Sequence, residues 1–458
     1  MRRARRSTRR PLSARDCTAT AAVRRPSLTR SCVPEASAPA LGRGPLGAPQ
    51  RRGAVVMLTQ DRQIDRRILL EADSLEAMGW TVRIIAMPLD QPGAGTEDPR
   101  VIRIGQGPGG PALPRKEGVV LAIYRAARAR LPMNSGPMRL LKRLAWRYVV
   151  RQDSFFLRLF EPTVLAHPAD VYVAHDLPML PVGVRAKQRH AARLVYDSHE
   201  LYAEQEFSAR EQHAWKRVEA SNIGEADAVI TVNPSIAREL EQRYRLSRVH
   251  VLYNAEKARE AAVGDKRFHQ VFGLPAQARV LLFQGGLSAG RHIEALVRAM
   301  RRVRSSHVHL VVLGDGGIKP QLERIVATGL SARVHLHDAV PQSELLAWSA
   351  AADAGIIPYQ ATCLNNYYCT PNKLFEFIAA GIPVLASDLP EIRAIVEGHG
   401  IGRVADMADE ERIAVAIDAF FSDPGALRQW QLAATRAREV VNWDVEGRKL
   451  VEIFKALS

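Results

Sequence analysis

From Ala54 to the C-terminus, short apolar runs alternate with segments whose apolar residues recur at helical spacing. AVVML (54–58) is a strand-length run. IDRRILLEADSLEAMG (64–79) then sets Ile68, Leu69, Ala72, Leu75 and Met78 on one helical face, with Asp65 suited to cap it and Gly79 to stop it. Strands follow at TVRIIAM (81–87), DVYVAH (170–175), RLVYDS (193–198), AVITV (228–232) and HVLYN (250–254). KRFHQVFGLPAQA (266–278) reads as a linker with a short helix. The pattern then restarts, with strands at RVLLFQ (279–284), VHLVVLG (308–314), RVHLH (333–337), AGIIPY (354–359) and IPVLAS (382–387). Apolar strands separated by helices predict parallel sheets covered on both faces. The fold class is therefore α/β, with two Rossmann-like doubly wound domains in series, at 53–260 and 261–440, and a final amphipathic helix at 441–458. Ligands of such folds sit at the carboxyl ends of the strands, here also between the halves.

Charge changes the picture at one end only. The chain of 458 residues carries +16, but residues 1–52 hold 13 Arg against Asp16 and Glu35, so the remainder carries +5. The basicity belongs to a tail rich in Arg, Pro, Ser and Ala, without apolar period, which reads as disordered. Three readings compete for it: an over-called translation start with Met57 as an internal alternative, a transit peptide, or a basic arm for anionic surfaces. The first is preferred, and a secretory signal is not indicated, since no apolar stretch follows the arginines. No nucleic-acid partner is expected of the folded part. Hydrophobic content of 47% is ample for two cores. Four Cys show neither zinc spacing nor a disulfide framework, which fits a reducing, cytoplasmic compartment. No apolar run reaches the roughly 18 residues of a membrane span. MRLLKRLAWRYVVRQDSFFLRLF (138–160) mixes Arg139, Lys142, Arg143, Arg147, Arg151 and Arg158 with aromatics. It reads equally as a helix lying on an anionic bilayer and as one packed on its own sheet.

The densest candidate chemistry lies in YYCTPNKLFEFIAAGIPVLASD (367–388). Pro371 suits a helix start, and the amides of Asn372 and Lys373 with the Lys373 ammonium form an anion site suited to a diphosphate. Glu376, one turn on among Leu374, Phe375, Phe377 and Ile378, is placed to accept hydrogen bonds from a ribose diol. Gly285 and Gly286 in LLFQGGLSAGR (281–291) allow close backbone approach, and Arg291 can reach a phosphate. No G-x-G-x-x-G or Walker sequence is present. VVLGDGG (311–317) reads as a turn at a strand end. VYDSHELYAEQ (195–205) puts Asp197, His199 and Glu200 just past a strand, without a zinc-protease pattern. The histidines of HLH (335–337) share a strand face without an evident third ligand, and no Asp-x-Asp pair is present. Metal-independent chemistry without a cofactor is expected.

Together these segments resemble the retaining glycosyltransferases of the GT-B fold, family 4 type, which include bacterial cell-wall and exopolysaccharide transferases. PNKLFEFIAAGIPVLASDLPEI (371–392) is similar to that group's P-x-K-L-F-E-Y-x-A-A-G-x-P-V-x-A-S-D segment. DRRILLEADSLEAMGW (65–80), AHDLPMLPVG (174–183), VYDSHELYAE (195–204), ITVNPSIAREL (230–240) and VLYN (251–254) agree in order and spacing. The resemblance implies a nucleotide-sugar donor (UDP- or GDP-sugar) held by the second half, and a polysaccharide or lipid-linked acceptor on the first. It assigns Glu376 to the ribose, Arg291 and Lys373 to the diphosphate, and main-chain groups near His337 and Val340 to the base. His199 would face the donor sugar, and Arg66, Arg67 and Asp197 the acceptor side. It also implies retention by front-face transfer, a terminal helix returning to the first half, and work at the inner face of the cell membrane. The alternatives are a sugar-nucleotide epimerase or phosphorylase on the same fold, and a non-catalytic nucleotide-binding homologue. Two departures stand out. The family's Glu-x7-Glu would begin at position 368, which is Tyr368 here, and its Gly-Arg pair is Gly285-Gly286.

Overall fold

The structure, a computed structural model, describes residues 53–89, 98–105, 136, 140, 152–257 and 265–457. Two parallel sheets form there. The first contains β1 (Gly53–Thr59), β2 (Trp80–Ala86), β3 (Val101–Arg103), β4 (Val171–His175), β5 (Arg193–Ser198), β6 (Ala228–Thr231) and β7 (His250–Val251), in the order β3-β2-β1-β4-β5-β6-β7. The second contains β8 (Arg279–Gln284), β9 (Val308–Leu313), β10 (Val334–His337), β11 (Ala354–Ile357), β12 (Val384–Ser387) and β13 (Gly402–Ala405), in the order β10-β9-β8-β11-β12-β13. The strand order reverses between β1 and β4, and again between β8 and β11, and these reversals are where such sheets open a crevice for ligands. Met57 pairs with Ile84 on one side and Val173 on the other, so β1 is central and apolar on both faces.

The first helix, Arg66–Ala77, starts where Asp65 accepts a hydrogen bond from the Arg67 amide at 2.8 Å. It buries Ile68, Ala72 and Leu75. The last helix, Trp443–Leu457, adds Trp443, Leu450, Ile453 and Phe454 to the same core cluster. Trp443 donates its indole N–H to Ser74 at 2.9 Å, and Phe454 meets Trp80 edge-on at 6.2 Å. Each such buried side chain contributes roughly 1.5–3 kcal/mol, so the terminal helix is bound firmly to the first half, as the resemblance implies. The two chain crossings between the halves run side by side, for the Trp443 amide donates to the Glu256 carbonyl at 2.7 Å.

Two edge strands escape the sequence pattern. β3 has three residues, too few to show a period. β13 begins at Gly402, where a Cβ would stand 1.9 Å from the Val384 carbonyl oxygen, so glycine permits the close pairing. The expected strand 250–254 shortens to two residues, because the Leu252 carbonyl serves Arg67 and the Tyr253 amide serves Glu446. Of the basic segment, Arg139, Lys142, Arg143, Arg147 and Arg151 lie outside the described residues, as do the tail and its Cys17 and Cys32. The described part, helix Gln152–Leu165, buries Phe160 and Val164 in the first-half core and leaves Arg158 exposed. No described helix is long and apolar enough to cross a membrane.

Candidate active site

The parallel second sheet brings the ends of β8, β9, β10 and β11 to one edge. The ladder runs on into the loops, with Gly285 N–H donating to Leu313 and Gly314 N–H to His337, each at 3.0 Å. Gly314 lies at φ 154°, and a Cβ there would come within 2.1 Å of the Gly285 carbonyl oxygen. The two glycine turns thus pack backbone on backbone. Gly285 has φ 110°, with the Lys373 ammonium beside it, while Gly286 faces open space.

Helix Asn372–Ala380 starts at Pro371, which stands just before the first turn, and no side chain caps it. Its apolar residues Leu374, Phe375, Phe377 and Ile378 are buried, which turns Lys373 and Glu376, three residues apart, toward the cleft. Glu376 keeps 14% of its side chain exposed. One of its oxygens accepts from the Gln284 amide at 2.5 Å. Gln284 is wholly buried and in turn accepts from the Ser349 hydroxyl at 2.7 Å. The carboxylate is therefore aimed by a braced amide, and its other oxygen points toward Arg66, at 3.6 Å.

Lys373 is 5% exposed, and its ammonium lies over the rings of Phe283 and Tyr359 at 5.1 and 4.6 Å. It donates to the Tyr359 hydroxyl, and Arg291 donates to the same oxygen at 2.7 Å. Among the described residues neither cation has a carboxylate within 4.0 Å. Two cations converging on a neutral phenol form an incomplete electrostatic site, one that an anion completes.

The first half treats its charges differently. Arg67 is 2% exposed and forms two parallel hydrogen bonds to Asp197, each of 2.9 Å. It also donates to the Leu252 carbonyl and Asn254 at 2.8 Å, and pairs with Glu71 at 2.9 Å. Asp197, fully buried at the end of β5, holds His199 Nε2 at 3.0 Å and lies 3.3 Å from His175 Nδ1. Arg67 and Asp197, expected on the acceptor side, are sealed from the cleft, since desolvating this pair is tolerable only with every bond made. They orient His199. Asp176 accepts from the His199 amide at 3.1 Å and lies 3.8 Å from its Nδ1, holding a left-handed φ of 62°.

The proton affinities follow. Burial pushes Asp176 up to about 7, partly offset by His199. Burial opposes charge on His199, yet Asp176 and Asp197 carry it up to about 10. Burial likewise opposes charge on Asp197, but Arg67 and His199 hold it well below the usual carboxylate range. Burial lowers His175, whose Nε2 is buried without a partner. His175, Asp197 and His199 offer ligand atoms within 4.8 Å of one another. Both Asp197 oxygens already accept from Arg67, however, so a metal ion there would sit against a guanidinium.

The halves meet through polar contacts around the cleft. Asn365 accepts from the Leu201 amide at 3.0 Å and donates to Glu200 at 2.8 Å. Asn233 donates to the Tyr368 carbonyl at 2.7 Å, and Asn254 to Asn372 at 3.1 Å. The Tyr368 ring packs with Leu364 against the first-half core. The position where the resemblance anticipates a glutamate thus serves packing between the halves. Arg66, expected beside the acceptor, pairs with Glu256 and faces Glu376. It helps line a cavity of about 230 Å³ with Leu70, Gln342, Leu346 and Glu376. His337, at the end of β10, donates its Nδ1–H to the Asp338 carbonyl at 2.8 Å, and its ring rests on Trp348 at 4.5 Å. Since a carbonyl only accepts, Nδ1 carries the proton. Val340 is half-buried against the second-half core.

Comparison with known proteins matches these two halves separately. The family described as glycosyl transferase 4-like domain matches residues 64–255, and that described as glycosyl transferases group 1 matches residues 278–423. The chain belongs to the family 4 type of glycosyltransferases. D-inositol 3-phosphate glycosyltransferase of Thermobispora bispora is 27% identical over 313 residues, covering 62% of this chain and 70% of that protein. An uncharacterized glycosyltransferase of Methanocaldococcus jannaschii is 26% identical over 301 residues, covering 62% and 75%. Sucrose-phosphate synthase from Thermosynechococcus elongatus superposes with a TM-score of 0.67 at 18% identity, covering 89% of this chain and 99% of that one. Anabaena HepE, solved in complex with UDP, gives 0.60 at 14% identity, covering 88% and 100%. These structures share the GT-B fold.

Within this glycosyltransferase, four residues of the site carry no signal of their role in the sequence: Gln284, Tyr359, His175 and Asp176. Gln284 is the last residue of an apolar strand, and Tyr359 follows one. Their roles come from the adjacency of β8 and β11, which no local pattern announces. His175 and Asp176, at the end of β4, were legible only as part of AHDLP.

Proposed function

We propose that this glycosyltransferase moves a sugar from a UDP- or GDP-sugar to a hydroxyl of a polysaccharide or lipid-linked acceptor, with retention of anomeric configuration and without a metal. One observation carries the reading: among the described residues Lys373 and Arg291 converge without a carboxylate, Lys373 one helical turn from the braced Glu376. In this reading Glu376 accepts the ribose diol and the two cations take the diphosphate. The Asn372 and Lys373 amides at the uncapped helix start, and the Gly285-Gly286 backbone, complete the diphosphate cradle. Main-chain groups near His337 and Val340 line the base pocket.

Charge develops on the diphosphate as the sugar–phosphate bond breaks. Cations fixed in a desolvated site stabilise that charge more than water does, because they need no reorganisation. His199, held by Asp197 and Asp176, faces the donor sugar from the first half. In front-face transfer the acceptor proton passes to the departing phosphate oxygen, so no protein base is required. Tyr368 is engaged in packing, so the donor sugar is held without the family's first glutamate. In this reading the reaction belongs at the inner face of the cell membrane, with the basic residues Arg139, Lys142, Arg143 and Arg147 as the contact to anionic lipid, which vesicle co-sedimentation after their charge removal tests.

Glu376→Ala tests the site. It should abolish transfer and donor hydrolysis while leaving the melting temperature within a few degrees of wild type. Full activity would sink the assignment. A melting screen with UDP, GDP, ADP and their sugars identifies the donor. Product analysis separates transfer from epimerisation, which needs no acceptor.

A further inference from the structure

Tyr359 follows β11 and stands between the two cations of the second half. Lys373 and Arg291 carry donors only and cannot accept a hydrogen bond. Both N–H groups therefore end on the Tyr359 oxygen and occupy its two acceptor positions. The phenolic proton must point elsewhere. Among the described residues no acceptor takes it. Both cations also lie against the ring, Lys373 at 4.6 Å and Arg291 at 5.6 Å, so the phenol is fixed as well as polarised. Gly285, with φ 110° and the ammonium within 3.7 Å of where its Cβ would be, keeps a side chain out of the space beside them.

We infer that Tyr359 is a third hydrogen-bond donor to the leaving diphosphate, completing a triangle with Lys373 and Arg291. The inference rests on the reading of those two cations as the diphosphate site. The bond between the sugar anomeric carbon and the diphosphate oxygen breaks, and its electron pair stays on that oxygen. The acceptor oxygen, or water in hydrolysis, forms the new bond to the anomeric carbon, and its proton leaves to the diphosphate. Tyr359 keeps its proton throughout and donates a hydrogen bond that strengthens as the charge grows. Two cations on its oxygen make that O–H a better donor than a free phenol.

Hydrolysis of the UDP- or GDP-sugar without acceptor breaks the same bond and serves as the assay. Tyr359→Phe should lower kcat about 10- to 100-fold with KM changed less than about threefold. Replacing Tyr359 by 3-fluorotyrosine, a more acidic phenol of nearly the same shape, should raise kcat relative to tyrosine while the phenol remains protonated. Unchanged kcat in Tyr359→Phe overturns the inference. So does a Phe variant that raises KM alone with no response to fluorination, since that is the behaviour of a residue that merely props the cations. The diphosphate reading is tested apart from it. If Lys373→Met and Arg291→Met bind UDP and GDP as wild type does, that reading fails whatever Tyr359 does.

Discussion

A cation is buried on each side of the cleft, Arg67 on one and Lys373 on the other, in opposite states of satisfaction. Arg67 in the first half meets a bidentate carboxylate, the Glu71 carboxyl group, a carbonyl and an amide. Lys373 and Arg291 in the second half meet one phenol. The same residue types thus do different work according to what is left over. A saturated buried cation fixes the positions of its neighbours and has nothing to offer a ligand. An unsaturated one carries charge that water or an anion must answer, which is the condition for binding a phosphate.

The sharpest way to break the contrast is to remove the anion from the saturated side. Asp197→Ala leaves Arg67 and His199 charged without their partner and should cost about 3–5 kcal/mol of stability, read as a large fall in melting temperature. If the protein melts unchanged, Arg67 is not the structural charge described. On the other side, Lys373→Met should reduce donor hydrolysis roughly 10²- to 10³-fold while the fold survives, since no buried carboxylate is orphaned. A collapse in stability there would place Lys373 with Arg67.

A smaller effect comes from pH. His199 has its proton affinity raised from 6.5 to about 10 in the folded state, so its stabilising contribution is complete below pH 6.5 and is lost as pH rises through about 10. Asp176, raised from 3.8 to about 7, adds a loss in the same direction between those values. The melting temperature should therefore decline from neutral pH toward 10 through His199, the Asp176 share being lost below about pH 7. His199→Gln should flatten the part of that decline above pH 6.5, and an equally steep decline in that variant would remove His199 as its source.

The strands and the first helix were legible because burial on both faces imposes continuous apolar runs, as in RLVYDS, which matches β5 from Arg193 to Ser198. Asp65 was legible as a cap because capping is local. Arg67 was not legible as a buried residue. Its partner Asp197 lies 130 positions away, and the helix pattern marks only Ile68 beside it as apolar. Glu376 was recognisable through its motif, whereas Gln284, 92 positions upstream, is visible only once β8 stands beside the helix. Tyr368 shows the limit most clearly. Its departure from the family could be read from the sequence, but its packing on Leu364 and the first-half core could not.

The hydrogen bond between Trp443 and Glu256 has a mechanical consequence. Two covalent passages between the halves, tied side by side, act as one axle rather than as two tethers at opposite corners. Rotation about that line stretches neither passage, while sliding or twisting strains both. Any such rotation has to break the contacts between the halves that lie off that line, Asn365 with Glu200 and Asn233 with Tyr368 among them.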